Sequence, residues 1–252
     1  WGSKRQQQIT YRDNETYHNV VVRAPLYPRN SLMTQGIMFA NHGLPDETAD
    51  LADDIRAFFA GGTDCQELYI TPSLMQPQDW DALAEAAKWS RDNADILVDT
   101  HWIGGDPAKG EVYGWASWSR RKGILSLRNP NDKPGSIALE IASAFELPRG
   151  ATGNYSLKSP WAKDADKAAI KVIAGKWHTF ELRPFEVSSI AFLPANAKFG
   201  DKVKLKVKVT PVTGEPVSVK VVINNYEISL SGEGSWHYVG VVDAPDSEGV
   251  YP

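Results

Sequence analysis

The sequence of 252 residues has little cysteine, little net charge and no long apolar run, and each shortage excludes a class of protein. The single cysteine, Cys65, cannot form an intramolecular disulfide, so a disulfide scaffold is excluded and the thiol is expected to be a small buried side chain. The formal charge of -4 gives no electrostatic reason to expect nucleic acid as a partner. No apolar run approaches the roughly 20 residues that cross a bilayer, so no membrane partner is expected.

Aromatic residues are what the sequence has in excess: 9 Trp, 9 Tyr and 8 Phe. Several of the tryptophans stand among polar residues rather than in apolar runs. Aromatic faces suit flat apolar ligands such as sugar rings, and they suit the core of a β-sandwich equally well. Composition therefore leaves a binding role and a packing role open.

The first hundred residues show patterns typical of βα units. The clearest is a helix over 48–60, where Leu51, Ile55, Phe58 and Phe59 share one face. The other elements expected here are helices over 6–19 and 79–93 and short strands over 31–40 and 67–71. On the 79–93 helix, the side chains expected to face inward are those of Trp80, Leu83, Ala84 and Ala87.

After Asp99 the pattern changes to strand-length runs separated by turn residues, which predicts an antiparallel all-β domain. The runs are 111–118, 123–128, 136–141, 155–159, 178–182 and 187–193. A small β-rich extension is expected from about residue 196, with strands over 202–209, 217–223, 227–231 and 236–242. In the first of these, lysines alternate with apolar residues, and we interpret this lysine ladder as a solvated strand face.

The fold class predicted from these patterns is α/β followed by all-β: a partial (β/α) barrel segment, an antiparallel β-sandwich-like domain and a small β extension. The corresponding domains are 1–107, 108–195 and 196–252. No internal repeat stands out.

Motifs that carry chemistry are scarce. The run 99–106 holds two aspartates and a histidine, but a metal site needs further ligands, so we expect no metal and interpret the run as a polar connector capped by Asp99 and Asp106. No nucleophile motif or phosphate-binding loop is present, so no cofactor is expected. Most carboxylates, Asp53 and Asp54 among them, are interpreted as a helix cap and solvated face, which leaves Glu67 and Asp99 as weak candidates for glycoside hydrolysis.

Four residues of the first part combine ring faces or an amide with positions at or just beyond apparent strand ends. These candidate substrate-binding residues are Tyr27, Asn30, Tyr69 and Trp102. Loops at the ends of strands build the ligand sites of barrel-like sheets, and rings and amides suit sugar stacking and hydroxyl recognition. Core packing is the alternative for each of them.

Five segments carry a resemblance to a known family. They are SKRQQQITYRD, APLYPRNSLMTQGI, RAFFAGGTDCQELYITPSLM, DWDALAEAAKWSRDNADILVDTHWIGGDP and GEVYGWASWSRRKGILSLRNPNDKP. Together they resemble a group of bacterial proteins, often labelled enterotoxin, that are similar to the α-galactosidase superfamily of TIM-barrel glycosidases. The resemblance covers about residues 1–194. It implies the last two barrel strands over 26–40 and 67–74, and the following β domain over 112–193.

The resemblance implies that the family's two catalytic aspartates precede Trp1, so this chain alone is expected to be inactive. The predicted function is therefore the C-terminal region of a carbohydrate-active, glycoside-hydrolase-like protein, contributing substrate-side walls and scaffold. The alternative is a non-catalytic carbohydrate-binding or adhesion module. The predicted partner is carbohydrate, with self-association or a companion chain expected through exposed barrel edges and the apolar face of the 48–60 helix. The chain shows no leader, so we expect a processed or trimmed product whose localisation stays open, an extracytoplasmic one included.

Overall fold

The structure is a computed structural model that describes residues 2–24, 27–39, 50–119, 122–147, 153–194, 202–208, 219–223, 226–232 and 237–243. The chain divides into two units, Trp1–Ala195 and Asn196–Pro252. Within the described ranges, no helix has the length and hydropathy to span a membrane. The expected boundary at residue 107, inside the first unit, stays a prediction.

The first part of unit 1 is mixed α/β. Its elements are α1 (Lys4–Thr16), β1 (Met38–Phe39), α2 (Leu51–Phe59), β2 (Tyr69–Ile70), α3 (Pro77–Asp92) and α4 (Ala94–Leu97). One π-helical segment, Tyr17–Val22, continues α1. Strands β1 and β2 pair in parallel, with Met38 opposite Tyr69, and α2 lies between them in sequence. This is one βαβ unit, the repeating element of a (β/α) barrel.

The apolar face of α2 is covered within the chain. Leu51, Ile55, Phe58 and Phe59 are all buried, as the spacing predicts for one helix face. The expectation that this face lies open is wrong, and self-association through it loses its physical reason. The helix ends at Phe59, one residue before the expected end, and Gly62, just beyond it, adopts a left-handed conformation with φ of 74°. Its expected start at residue 48 lies outside the described residues.

Helix α3 matches the expected inward face only in part. Leu83 and Ala87 are partly buried, but Trp80 is 43% exposed and Ala84 is exposed. The fully buried apolar side chains are those of Ala82, Ala86 and Trp89. The cause is the packing of α3 against α2, where the small alanines permit a close approach. Trp89 packs against Trp161, with ring centroids 4.9 Å apart.

The rest of unit 1 is antiparallel β structure. The strands are β3 (Thr100–Gly104), β4 (Tyr113–Ser119), β5 (Lys122–Arg128), β6 (Gly135–Glu140), β7 (Asn154–Lys158), β8 (Ile170–Ile173), β9 (Trp177–Leu182) and β10 (Val187–Pro194). A short helix, α5 (Ile141–Ala144), follows β6. Six strands form one sheet in the order β3-β4-β5-β10-β7-β8, and β6 and β9 form a second, two-stranded sheet.

The two sheets share one apolar cluster. Leu125 of β5, Leu157 of β7 and Ile190 of β10 contribute from the larger sheet, and Leu139 and Phe180 from the smaller one. The α/β part followed by antiparallel β structure confirms the predicted fold class. Strands β3 and β8 were not expected, and β3 replaces the connector predicted over 99–106.

Unit 2 contains four described strands in one antiparallel sheet, with the order β11-β14-β13-β12. They are β11 (Lys202–Lys208), β12 (Val219–Ile223), β13 (Tyr226–Gly232) and β14 (His237–Asp243). The lysine ladder forms β11, which has β14 on one side and stands at the end of the sheet order. Lysines at this position fit the expectation of a protected edge strand.

Candidate functional site

A buried ionic network joins α1 to α2. Asp54 of α2 is 2% exposed, and its two carboxylate oxygens accept from Arg5 at 3.1 Å and from Arg12 at 2.7 Å. Arg12 also donates through Nε to Asp13 at 3.2 Å. The interpretation of Asp54 as part of a solvated helix face is therefore wrong, because two guanidinium groups bind this carboxylate inside the protein.

The network continues into the six-stranded sheet. The Tyr113 hydroxyl donates to Asp13, and Arg128 Nη1 donates to the Tyr113 oxygen at 2.7 Å. Arg128 Nη2 donates to Gln6 Oε1 at 2.9 Å and to Thr10 Oγ1 at 3.0 Å. Burial raises the pKa of Tyr113, with Arg128 lowering it and Asp13 raising it, so the phenol keeps its proton and can donate. These bonds fix α1 against β4 and β5.

Arg5 also covers the open edge of β1. The carbonyl groups of Ile37 and Phe39 accept hydrogen bonds from β2. The carbonyl of Met38, between them, points to the opposite edge and accepts from Arg5 Nη1 at 2.6 Å. A side chain therefore takes one of the hydrogen bonds that a neighbouring strand would make.

An aromatic cluster stands beside this network. Trp102 of β3 stacks on Tyr113 with centroids 4.8 Å apart and planes 5° apart, and it meets Trp115 edge to face at 4.8 Å. Tyr17 covers Trp102 from the π-helical segment at 5.1 Å. The Arg29 guanidinium lies 3.9 Å from the centre of the Trp115 ring. These four rings and one cation form a rigid wall between α1 and the sheet.

Arg29 has a perturbed acidity because of this position. Burial lowers its pKa to about 9, which Asp13 opposes and Arg12 reinforces. Its Nε donates to the Gly61 carbonyl at 2.6 Å, whereas its buried Nη1 has no hydrogen-bond partner in the described part of the chain. The Arg29 guanidinium lies over the ring of Trp115.

The structure brings two of the four predicted site residues onto adjacent elements. Asn30 lies in the short 3-10 helix Arg29–Ser31, which packs against β3, the strand of Trp102. Asn30 Nδ2 donates to Asp64 at 3.3 Å, which orients the amide. Tyr27 precedes this turn and is 68% exposed.

Tyr69 lies on the parallel pair rather than in the aromatic cluster. It is 47% exposed and stands opposite Met38 in the register of β1 and β2. A hydrogen bond to the Glu67 carboxylate raises the pKa of its phenol. Exposure leaves the Tyr69 and Tyr27 rings available for contact, while Trp102 is partly buried by its ring partners.

A cavity of about 360 Å³ lies between α1 and β1. Its α1 wall is a stripe spaced i, i+3, i+4 and i+7, formed by Lys4, Gln7, Gln8 and Tyr11. The opposite wall is made by Gln35, Gly36 and Met38, and the floor includes the ion pair of Arg12 with Asp54. Three amides, one phenol and a fixed ion pair offer many donors and acceptors and one ring, a combination suited to hydroxylated ligands.

Three of the described carboxylates are engaged by groups of the chain itself. Asp54 is held between two guanidinium groups, and Asp99 stands 3.4 Å from His101 on the surface. Hydrogen bonds from Ser143 and the α5 backbone lower the pKa of Glu140, opposite to the shift that a general acid needs. Among the described residues, no group of three or more His, Cys, Asp or Glu could hold a metal ion.

Sequence reasoning missed the ionic network, the cavity stripe and the exposure of Cys65, which was expected to be buried. The network could have been inferred from α1, where Arg5, Ile9, Arg12 and Thr16 recur at helical spacing on one face. All four are buried. Arginines on the inward face of a helix require buried partners.

Comparison with known proteins gives structural similarity alone, since neither a protein-family model nor a curated protein matches the chain. A solved α-amylase from Anoxybacillus matches 77% of this chain and 46% of its own, at 13% identity and a TM-score of 0.48. A GH27 β-L-arabinopyranosidase from Geobacillus stearothermophilus, solved with arabinose, matches 75% of this chain and 42% of its own, at 11% identity and a TM-score of 0.46. The α-galactosidase I of Mortierella vinacea matches 62% and 38%, at 8% identity and a TM-score of 0.43.

These three neighbours are glycoside hydrolases by their names, and the chain spans less than half of each. At such identities the similarity concerns fold, not activity. Any function of this chain must therefore be argued from its own residues.

Proposed function

We propose that this chain is part of a carbohydrate-active, glycoside-hydrolase-like protein, to which it contributes substrate-side walls and scaffold. The observation that carries the proposal is the cavity between α1 and β1, where Gln7, Gln8 and Tyr11 face a fixed ion pair. A volume of about 360 Å³ lies within the usual range for small-molecule sites. Neutral sugars present many hydroxyl groups and apolar ring faces, which this lining can satisfy together.

In this proposal the four sequence-predicted residues contribute further sugar contacts outside the cavity lining. Tyr69 stands on the strand paired with the cavity wall at Met38. Tyr27 and Asn30 supply an exposed ring and an oriented amide, and Trp102, held by its ring partners, lies on the strand against which the turn of Asn30 packs. Each is a group that stacks on a sugar or bonds to its hydroxyls.

In this proposal the catalytic carboxylates come from outside the chain. Two carboxyl groups must converge across the scissile bond, one of them with a raised pKa. Asp54 is not available to a substrate, because it is buried and both of its carboxylate oxygens bind arginines, Arg5 and Arg12. The network gives the walls a fixed geometry instead, which is the contribution expected of a scaffold.

Calorimetric titration with neutral oligosaccharides tests the proposal. Tyr69→Ala and Trp102→Ala should each weaken binding by an amount on the order of 1 kcal/mol or more, the value of an aromatic contact beyond its buried area. Lys204→Ala, on the lysine ladder of β11, is the control and should bind as the wild type does. Circular dichroism must show that each variant folds. Binding that survives both aromatic changes but falls with Lys204→Ala would contradict the proposal.

The second candidate is a non-catalytic carbohydrate-binding or adhesion module. The observation that favours it is a tryptophan on an outer sheet face, Trp177, which is 72% exposed. The two candidates differ in the role of the cavity: the first requires that sugar binds at the cavity and its neighbours, whereas the second requires binding on the Trp177 face alone.

A further inference from the structure

Trp177 begins β9 and is the most exposed of the large hydrophobic side chains among the described residues, at 72%. Tryptophan is usually well buried, because its large apolar surface gains free energy when it leaves water. Because Trp177 stays in contact with water on an ordered strand, the protein loses the stabilisation that burying its indole ring would give. Whether this position belongs to a binding surface is decided by the side chains around it.

The register of β6 and β9 defines the surroundings of Trp177. Trp177 pairs with Glu140, and Thr179 pairs with Ala138. Side chains two residues apart share a face of a strand and lie about 7 Å from each other. Thr179, Glu181, Ala138 and Ser136 are all exposed, whereas Phe180 and Leu182 point into the shared apolar cluster. The outer face of the β6–β9 sheet is thus one indole surrounded by small and polar side chains.

Glu140 is fixed at the edge of this face. Its carboxylate accepts from the backbone N–H groups of Ala142 and Ser143, both at 2.9 Å, and from the Ser143 hydroxyl at 2.6 Å. Hydrogen bonds from Ser143 and Ala142 lower its pKa, so it carries a negative charge and accepts. Thr179 and Ser136 add hydroxyl groups that both donate and accept.

We propose that the outer face of the β6–β9 sheet, with Trp177 as a stacking platform and Thr179 and Glu181 as hydrogen-bonding neighbours, is a glycan-binding surface. This inference rests on the proposed carbohydrate partner but adds a second binding site to the cavity between α1 and β1. The indole stacks on the apolar face of a sugar ring, and the polar side chains around it bond to the rim hydroxyls. Ala138, small and exposed, leaves room for further sugar units along the face.

The surroundings favour a sugar over a protein as the occupant. A protein interface is centred on several contiguous apolar side chains that become desolvated together. Here the sheet neighbours of Trp177 are polar, small or charged. The exposed Ile170 and Ile173 belong to β8, in the other sheet, and of these Ile173 comes near β9, where its N–H donates to His178 Nε2 at 3.0 Å.

Affinity electrophoresis in gels containing soluble starch, galactan or xylan measures the binding. The wild type should be retarded by at least one of these polysaccharides. Trp177→Ala should lower the affinity for that polysaccharide at least tenfold. Trp177→Phe keeps a smaller ring, so its affinity should lie between those of the wild type and Trp177→Ala. Trp80→Ala is the matched control, since Trp80 is also a largely exposed tryptophan but stands on α3. Because Trp177 is exposed, its removal should leave the circular dichroism spectrum and Tm unchanged.

Four outcomes overturn the inference. Retardation of the wild type with unchanged affinity in Trp177→Ala places the glycan elsewhere and leaves the proposed function standing. Equal losses in Trp177→Ala and Trp80→Ala show a nonspecific effect. Loss of concentration-dependent self-association in Trp177→Ala, measured by sedimentation with no change in glycan binding, identifies the face as a protein interface. If neither the gels nor the calorimetric titration shows any sugar binding, the inference and the proposed function fail together.

Discussion

Replacing Asp54 by asparagine tests whether the buried ionic network holds unit 1 together. Asp54→Asn keeps the shape of the side chain and removes its charge. Arg5 and Arg12 then lose the carboxylate that each of them binds, at 3.1 and 2.7 Å. Both arginines are buried, so water cannot replace the lost partner.

The expected loss of stability is large for a change of one atom. Removing one member of a buried ion pair costs about 3 to 5 kcal/mol, mainly because a charge stays buried without compensation. For a unit of this size, each kcal/mol shifts Tm by about 2 to 4 °C, so Tm should fall by roughly 6 to 20 °C. Urea denaturation followed by tryptophan fluorescence gives the free energy of unfolding, and calorimetry gives Tm.

The neighbouring residue supplies the control. Asp53 pairs with Lys163 at 2.6 Å and with Arg56 at 3.2 Å, but it is partly exposed. Asp53→Asn should cost about 0 to 1 kcal/mol, the usual range for surface pairs. Equal losses in the two variants, or a loss below about 1 kcal/mol for Asp54→Asn, would refute the claim that the network is structural.

Three further predictions concern other parts of unit 1. Burial lowers the pKa of Lys122 to about 7, although Asp95 and Asp92 oppose the shift. Between about pH 7 and 10.5 the unfolded chain therefore binds more protons than the folded one, so the free energy of unfolding should rise with pH. Lys122→Met should flatten this rise, as measured by urea titrations at several pH values. Gly62→Ala should destabilise by more than about 1 kcal/mol in thermal melts, since φ is 74° and a Cβ would lie 2.2 Å from Thr100 Oγ1; an unchanged Tm contradicts this. The purified chain should not hydrolyse aryl α- or β-glycosides, and turnover lost on changing Glu67 or Asp99 to the amide would overturn this.

The helices and strands whose apolar residues lie on one face could be predicted from the sequence, and those without such a pattern were missed. Leu51, Ile55, Phe58 and Phe59 mark α2 because their spacing leaves only one apolar face. Helix α3 carries apolar residues around much of its circumference, so periodicity alone could not show that Ala82 and Ala86 pack inward. Strand β3 was missed because its alternation is short and because Asp99 and Asp106, on either side of it, resemble turn caps.

The candidate sites could be predicted only in part for the same reason: local sequence patterns do not show which residues pack together. Tyr27, Asn30, Tyr69 and Trp102 were singled out by residue type, and local patterns could not show that a cavity opens beside α1. Trp177 was missed because the strand was expected to begin at His178, one residue too late. Starting it at Trp177 places this residue on the face opposite Phe180 and Leu182, which is the outer face.

The contacts of α1 have a consequence for synthesis on the ribosome. Gln6 and Thr10 bond to Arg128, and Asp13 bonds to Tyr113, so partners lie 100 to 122 residues apart in the chain. At about 5 to 20 residues per second, α1 waits roughly 5 to 25 seconds after its own translation before these partners exist. During that interval the side chains of Gln6, Thr10 and Asp13 remain hydrated, which keeps the nascent segment polar and delays its docking until the sheet is made.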